Sequence, residues 1–260
     1  MLPSPCYLIS DIHLGHAPPE VERVLLSFLR ALPGKASSLF INGDLFEFWF
    51  EWRTVVPKSG VRVLAALMDL RDAGVPVTML AGNHDCWGGE VLRDAGVDFQ
   101  FGPWRGAIAG WNAVVEHGDG LRPTEDRRYR VLRHVLRNPL AIRAFRVLHP
   151  DLATRIALGS SSTSRTYQSR DRGMGLREVA AARLAADPSV DLLVFGHSHV
   201  ATLERMPSGN VYANAGSWLD APTYLAVTPE RIALRSWSAS AESLDLHALD
   251  RVSEETLPKR

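Results

Sequence analysis

Five short apolar runs in this chain each end in Asp, Asn or His, most of them beside a glycine. They close on Asp11-Ile12-His13, Gly43-Asp44, Gly82-Asn83-His84-Asp85, His117-Gly118-Asp119 and Gly196-His197-Ser198-His199. Collected, the candidate ligands are Asp11, His13, Asp44, Asn83, His117, His197 and His199. Four imidazoles among oxygen donors suit a divalent first-row metal, whereas calcium takes oxygen only. Asp11 and His13 are two apart, so on an extended segment they point the same way, and His197 and His199 repeat that geometry. Seven side chains exceed the needs of one ion but suit two, provided one group bridges. The carboxylate of Asp44 is the natural bridge. Glycines 43, 82, 118 and 196 let the backbone turn sharply against a crowded centre.

Each motif alone says little, and Asn83-His84-Asp85 also reads as a turn. Their weight comes from occurring together, each after a strand-like run. His16, His134, His149 and His247 lack such settings and read as surface or packing residues.

The elements that must carry these corners alternate. Strands are predicted at 6–10, 38–42 and 77–81, with helices at 20–32 and 61–74 between them, the pattern of a largely parallel α/β core. Shorter strands follow at 97–101, 107–109 and 111–116. Residues 124–186 read as helical, broken by Pro139 and Pro150, with Gly159-Ser160-Ser161-Ser162 as a loop. Strands resume at 191–196, 202–206, 211–215, 224–227 and 232–237, and a polar, loose tail is expected over 241–260. The division predicted is one domain over 1–240 with a basic helical insertion at 123–187. Ligands in such folds gather at the carboxyl ends of strands, where all five corners fall.

Bulk properties narrow the partners. Lys plus Arg and Asp plus Glu both number 29, so no global field steers the chain to nucleic acid. The balance is local: residues 122–172 hold twelve arginines and no lysine against Glu125, Asp126, Asp151 and Asp171, an excess of eight positive charges. Two cysteines do not make a disulfide scaffold. With no signal peptide visible and no run of the ~20 apolar residues that span a bilayer, the expected location is cytoplasmic.

The ordered set Asp-x-His, Gly-Asp, Gly-Asn-His-Asp, His-Gly and Gly-His-x-His resembles the calcineurin-like metallophosphoesterases over residues 11–199. The resemblance implies an α/β fold: a four-layer α/β/β/α sandwich of two mixed sheets, here with a helical insertion as cap. It implies two divalent ions, one held by Asp11, His13, Asp44 and His199, the other by Asp44, Asn83, His117 and His197. Two such cations lower the pKa of a water for attack on phosphorus and neutralise phosphoryl charge. His84 would meet the transition state or protonate the leaving oxygen. Asp85 would orient a neighbouring imidazole, while Glu47 is open between that work and a surface salt bridge.

The aromatic patch Phe46, Phe48, Trp49, Phe50 and Trp52 reads first as core. With the arginine-rich insertion, whose guanidinium forks match phosphate oxygens, it also suits an amphiphilic phosphate ester near a membrane surface. Gly-Asp-Leu-Phe-Glu-x-Trp at 43–49, His-Gly-Asp at 117–119 and Glu125-Asp126-x-x-Tyr129 resemble the UDP-2,3-diacylglucosamine diphosphatase branch of lipid A biosynthesis. That resemblance implies release of UMP and 2,3-diacylglucosamine 1-phosphate, manganese as metal, and substrate contacts from Asn83, His84, Asp126, Ser164 and His197. One residue departs: that branch has Arg where this chain has His84. The alternatives are a phosphodiesterase or nucleotide pyrophosphatase acting on a soluble substrate, and a scaffold with an idle metal centre.

Overall fold

The continuous apolar runs are strands buried on both faces, as such runs require. In the computed structural model, which describes residues 1–168 and 171–251 (backbone only for 128 and 160–168), β1 (Cys6–Ile9), β2 (Ser38–Asn42), β3 (Val77–Leu80) and β4 (Val97–Gln100) pair in parallel. On the far side of β1, β10 (Thr223–Val227), β11 (Arg231–Trp237) and β12 (Ser243–Asp250) add antiparallel. The result is a mixed seven-stranded sheet.

The second sheet is also mixed. It takes β5 (Trp104–Ile108), β6 (Trp111–Val115), β7 (Leu192–Phe195), β9 (Val211–Asn214) and β8 (Thr202–Arg205) in that spatial order. Its β6, β7 and β9 are parallel.

Three apolar layers hold the molecule together. Leu8, Phe40 and Leu80 of the first sheet meet Val115, Val194 and Ala213 of the second between the sheets. Outside the first sheet lie α1 (Pro19–Arg30), α2 (Val61–Asp72) and α3 (Glu90–Asp94), burying Phe28, Leu67 and Leu92. Outside the second lies α7 (Met174–Ala186), whose Leu176, Ala180 and Leu184 pack on Phe195 and Tyr212. This is the α/β/β/α sandwich expected. Phe28 is fully buried, with Tyr224, Trp237 and Trp218 rings centred 5.0, 5.4 and 5.5 Å away. Phe28→Ala should therefore cost about 3–5 kcal/mol, read as a shift in the urea midpoint; a cost below about 1 kcal/mol would contradict this packing.

The insertion consists of α4 (Arg127–Leu136), α5 (Pro139–Arg146) and α6 (Pro150–Gln168). Pro139 and Pro150 each open a helix, where a missing N–H costs nothing. Asn138 caps α5 by accepting from Leu140 and Ala141 N–H.

Two sequence expectations fail here, a loop and a loose tail. Gly159 to Ser162 continue α6 instead of forming a loop, because a deficit of roughly 0.5–1 kcal/mol per weak helix former is a small bias that an unbroken backbone ladder outweighs. Helix α7, at the end of the segment 123–187, packs on the second sheet as the outer layer of the sandwich. The first half of the expected loose tail is β12, an exposed edge strand held by its ladder to β11 and by Asp245 facing Arg231 and Arg235. Polar composition hid it, because an edge strand needs little burial.

Candidate metal centre

Each predicted corner follows the carboxyl end of a strand: 11–13 after β1, 44 after β2, 83–85 after β3, 117 after β6 and 197–199 after β7. Parallel pairing places the first three ends side by side, and sheet stacking brings the other two against them. The loops are zipped directly, since Asp11 N–H donates to Gly43 O at 3.2 Å and Ile12 and His13 N–H to Asp44 O at 2.9 and 3.0 Å. Among the described residues, eight non-glycine residues have positive φ, and five of them are Asp11, His13, Asp44, His197 and His199. Backbone strain of this kind persists only where surrounding contacts impose it, and it gathers at functional sites. Gly82 is required beside them: a Cβ there would collide with the Asp44 carboxylate.

All seven predicted ligands meet. In one half, His199 Nε2 lies 3.5 Å from Asp11 Oδ1 and 3.2 Å from His13 Nε2, which is 3.9 Å from Asp44 Oδ2. In the other, His117 Nε2 is 3.1 Å from the same Asp44 Oδ2 and 3.3 Å from Asn83 Oδ1. Candidate ligand atoms of Asp44, His117 and His197 lie within 4.8 Å of one another. Asp44 Oδ1 is engaged elsewhere, accepting the His84 N–H at 2.9 Å. One oxygen, Oδ2, therefore faces both halves.

The donor set fits cations. His117 Nδ1 lies 2.8 Å from the Asn42 carbonyl, which can only accept, so Nδ1 carries the proton. Its Nε2 faces two other acceptors, a mutually repulsive arrangement unless a proton or a metal cation sits among them. His13 repeats this: Nδ1 donates to Glu47 Oε2 at 3.0 Å and Nε2 turns to the cluster. Burial opposes charge on His117, yet the Asp44 carboxylate outweighs it and holds the imidazole pKa well above the usual value. Burial would raise Asp44, but His117, His84 and His13 hold it well below the carboxylate range. His197 is held low by burial and by the charge of His117, leaving it a neutral base. The His117 and Asp44 shifts express one demand, for positive charge beside the Asp44 carboxylate, while the His197 shift runs the other way.

Residues 4–201 match the calcineurin-like phosphoesterase family. The chain belongs to that family. Its relatives include the UDP-2,3-diacylglucosamine hydrolase of Porphyromonas gingivalis, 30% identical over 85% of this chain and 93% of that protein. The protein of the same name from Stenotrophomonas maltophilia strain R551-3 is 33% identical over 84% and 93%. Among solved structures, the chain is similar to YfcE, a phosphoesterase from E. coli, at 18% identity over 95% and 99% with a TM-score of 0.45.

Around this phosphoesterase centre, some predicted roles shift. Asp85 does not orient an imidazole; it is fully buried and accepts backbone N–H groups from Gly82 and Leu45, both at 2.8 Å. Burial, then the Asp44 charge, push its pKa up to about 7. It fixes the two loops that carry Asp44 and Asn83. Glu47 is no surface salt bridge: it is 3% exposed and holds His13. The carboxylate of Asp126 accepts from Arg122, at 3.1 Å from Nε and 2.7 Å from Nη2, and so holds that arginine in place. Ser164 lies outside the described side chains. His16, His134, His149 and His247 are exposed, as expected.

Asp119 was missed. It accepts from Tyr129 Oη at 2.7 Å, and Arg133 and Arg137 approach it at 3.7 and 3.9 Å. Trp87 Nε1 donates to Leu136 O at 2.9 Å. Together they seat α4 beside the centre. The His-Gly-Asp motif carried the signal for Asp119, but nothing local announced partners ten or more residues away. Between α4, α5, α6 and the aromatic patch lies a cavity of about 380 Å³. Its walls include Phe48, Phe50, Leu132, Ile142 and Phe145, and at one side they meet Asn83 and His84. The patch read as core is thus partly cavity wall.

Proposed function

We propose that this chain is a dinuclear-metal-dependent hydrolase of UDP-2,3-diacylglucosamine, releasing UMP and 2,3-diacylglucosamine 1-phosphate. One observation carries the reading: an apolar cavity whose wall meets Asn83 and His84, so that a phosphoester at the polar cluster can keep an acyl chain in the cavity. The names of the relatives point the same way. Asp11, His13, Asp44 and His199 would hold one divalent ion and Asp44, Asn83, His117 and His197 the other, with manganese as the metal. Such a pair supplies a nucleophile at neutral pH and charge for the phosphoryl oxygens.

The chain's own residues do the rest. His84 donates its Nδ1 proton to the Glu47 carbonyl at 3.0 Å, which points Nε2 away from that loop. A proton held on Nε2 can pass to the leaving oxygen, and its charge can meet a phosphoryl oxygen before that. Asn83 binds substrate from the same loop, and the apolar walls exclude water from the reacting phosphorus.

The insertion also suits contact with a membrane surface. Val131, Leu140 and Val147 are 68%, 70% and 86% exposed, and Arg143 and Arg146 lie between the last two. No helix among the described residues is long and apolar enough to cross a membrane. The reading is a cytoplasmic protein working at the inner membrane face, with residues 123–172 as its basic cap.

The test is manganese-dependent release of UMP from UDP-2,3-diacylglucosamine, set against UDP-glucose and ADP-ribose. Preference for the lipid by at least ~100-fold in kcat/KM is expected, since each buried methylene contributes about 0.8 kcal/mol. Equal turnover of the soluble compounds would favour the second reading, a pyrophosphatase of soluble nucleotides, to which the proton-donating His84 is suited. No hydrolysis at full metal loading would favour an idle scaffold.

A further inference from the structure

The two halves of the cluster orient their imidazoles through partners of different charge. His13 Nδ1 donates to the Glu47 carboxylate at 3.0 Å, in a pair 1% exposed on both sides. His117 Nδ1 donates to a neutral carbonyl, Asn42 O, at 2.8 Å. A carboxylate draws on the Nδ1 proton more strongly than a carbonyl and leaves Nε2 the better electron donor. Glu47 is placed for this by backbone pairing. Leu14 N–H donates to Leu45 O at 3.0 Å and Glu47 N–H to Leu14 O at 2.9 Å, so the segment carrying Glu47 runs alongside His13.

We propose that Glu47 is a positioning residue that makes the Asp11–His13–Asp44–His199 half the tighter cation site, so that this half fills first. The inference rests on the metal-binding reading above. Ligand charge acts in the same direction, because this half has two carboxylates and the other has Asp44 with the neutral Asn83. Glu47 adds a third negative charge just behind the first half. Its side chain therefore controls the affinity gap, while its main-chain carbonyl holds His84, whose Nδ1 also lies 3.8 Å from Glu47 Oε1.

Chelator-stripped protein titrated calorimetrically with Zn2+ tests this. Wild type should bind two ions in separate steps. Glu47→Gln keeps an oxygen for His13 Nδ1–H but removes the charge, and should weaken the first step about 10–100-fold, with the second step within about 2-fold. Unchanged affinities, or equal weakening of both steps, would overturn the proposal. Fewer than two ions bound by wild type would instead remove the metal reading beneath it.

Should the variant not fold, nitrogen-15 spectra of wild-type histidines decide. His13 and His199 should shift with the first equivalent of Zn2+, and His117 and His197 only with the second. The reverse order, or simultaneous shifts, would overturn the assignment.

Discussion

Asp44→Asn is expected to lower manganese-dependent hydrolysis of bis(p-nitrophenyl) phosphate by at least ~10³-fold, the scale on which metal-centred charge stabilisation acts. The reason is geometric. Asp44 Oδ2 faces His117 Nε2 at 3.1 Å and His13 Nε2 at 3.9 Å, so it alone belongs to both halves. An amide placed there loses the negative charge and can turn N–H donors toward the position a cation needs. The change is otherwise mild, because the amide oxygen can still accept the His84 N–H now bound at 2.9 Å. Stability should stay within a few kcal/mol, measured by urea denaturation, while bound metal falls below two ions per chain. Activity near wild type with a full metal complement would remove Asp44 from the centre of the mechanism.

Ile142→Asp should separate the two chemistries of the site. Ile142 lines the apolar cavity from α5, on the insertion and apart from the polar cluster. A carboxylate there meets Phe48, Leu132 and Phe145, with which it can make no hydrogen bond. Seating an acyl chain against that charge costs at least a few kcal/mol, and about 2.7 kcal/mol is already 100-fold. Turnover of UDP-2,3-diacylglucosamine should fall about 100-fold or more in kcat/KM, whereas the small diester, reacting at the cluster alone, should change less than about 3-fold. Equal losses on both substrates would mean that the insertion only supports the centre and takes no part in choosing its substrate.

His84 shows where sequence and structure divide the argument. Its place in Gly-Asn-His-Asp, next to Asn83, is legible in the sequence. Only the fold shows that its Nδ1 is spent on Glu47 O and that its ring borders both the cluster and the cavity. Asp85 makes the opposite point. Its motif suggested an imidazole partner, and burial instead gave it backbone N–H groups from two loops.

The sequence by itself determined which side chains gather at the candidate centre and which strands carry them. Those signals are local: an apolar run, a sharp turn and a polar side chain lie within about ten residues. Tertiary structure alone decided the pairings across the chain. Glu47 lies 34 residues from His13, and Tyr129 reaches Asp119 from the insertion. Such contacts depend on how two sheets stack and where α4 docks, which no periodicity records. The cavity was hidden for the same reason, because its apolar wall and an apolar core have the same composition and differ only in what the neighbouring helices leave open.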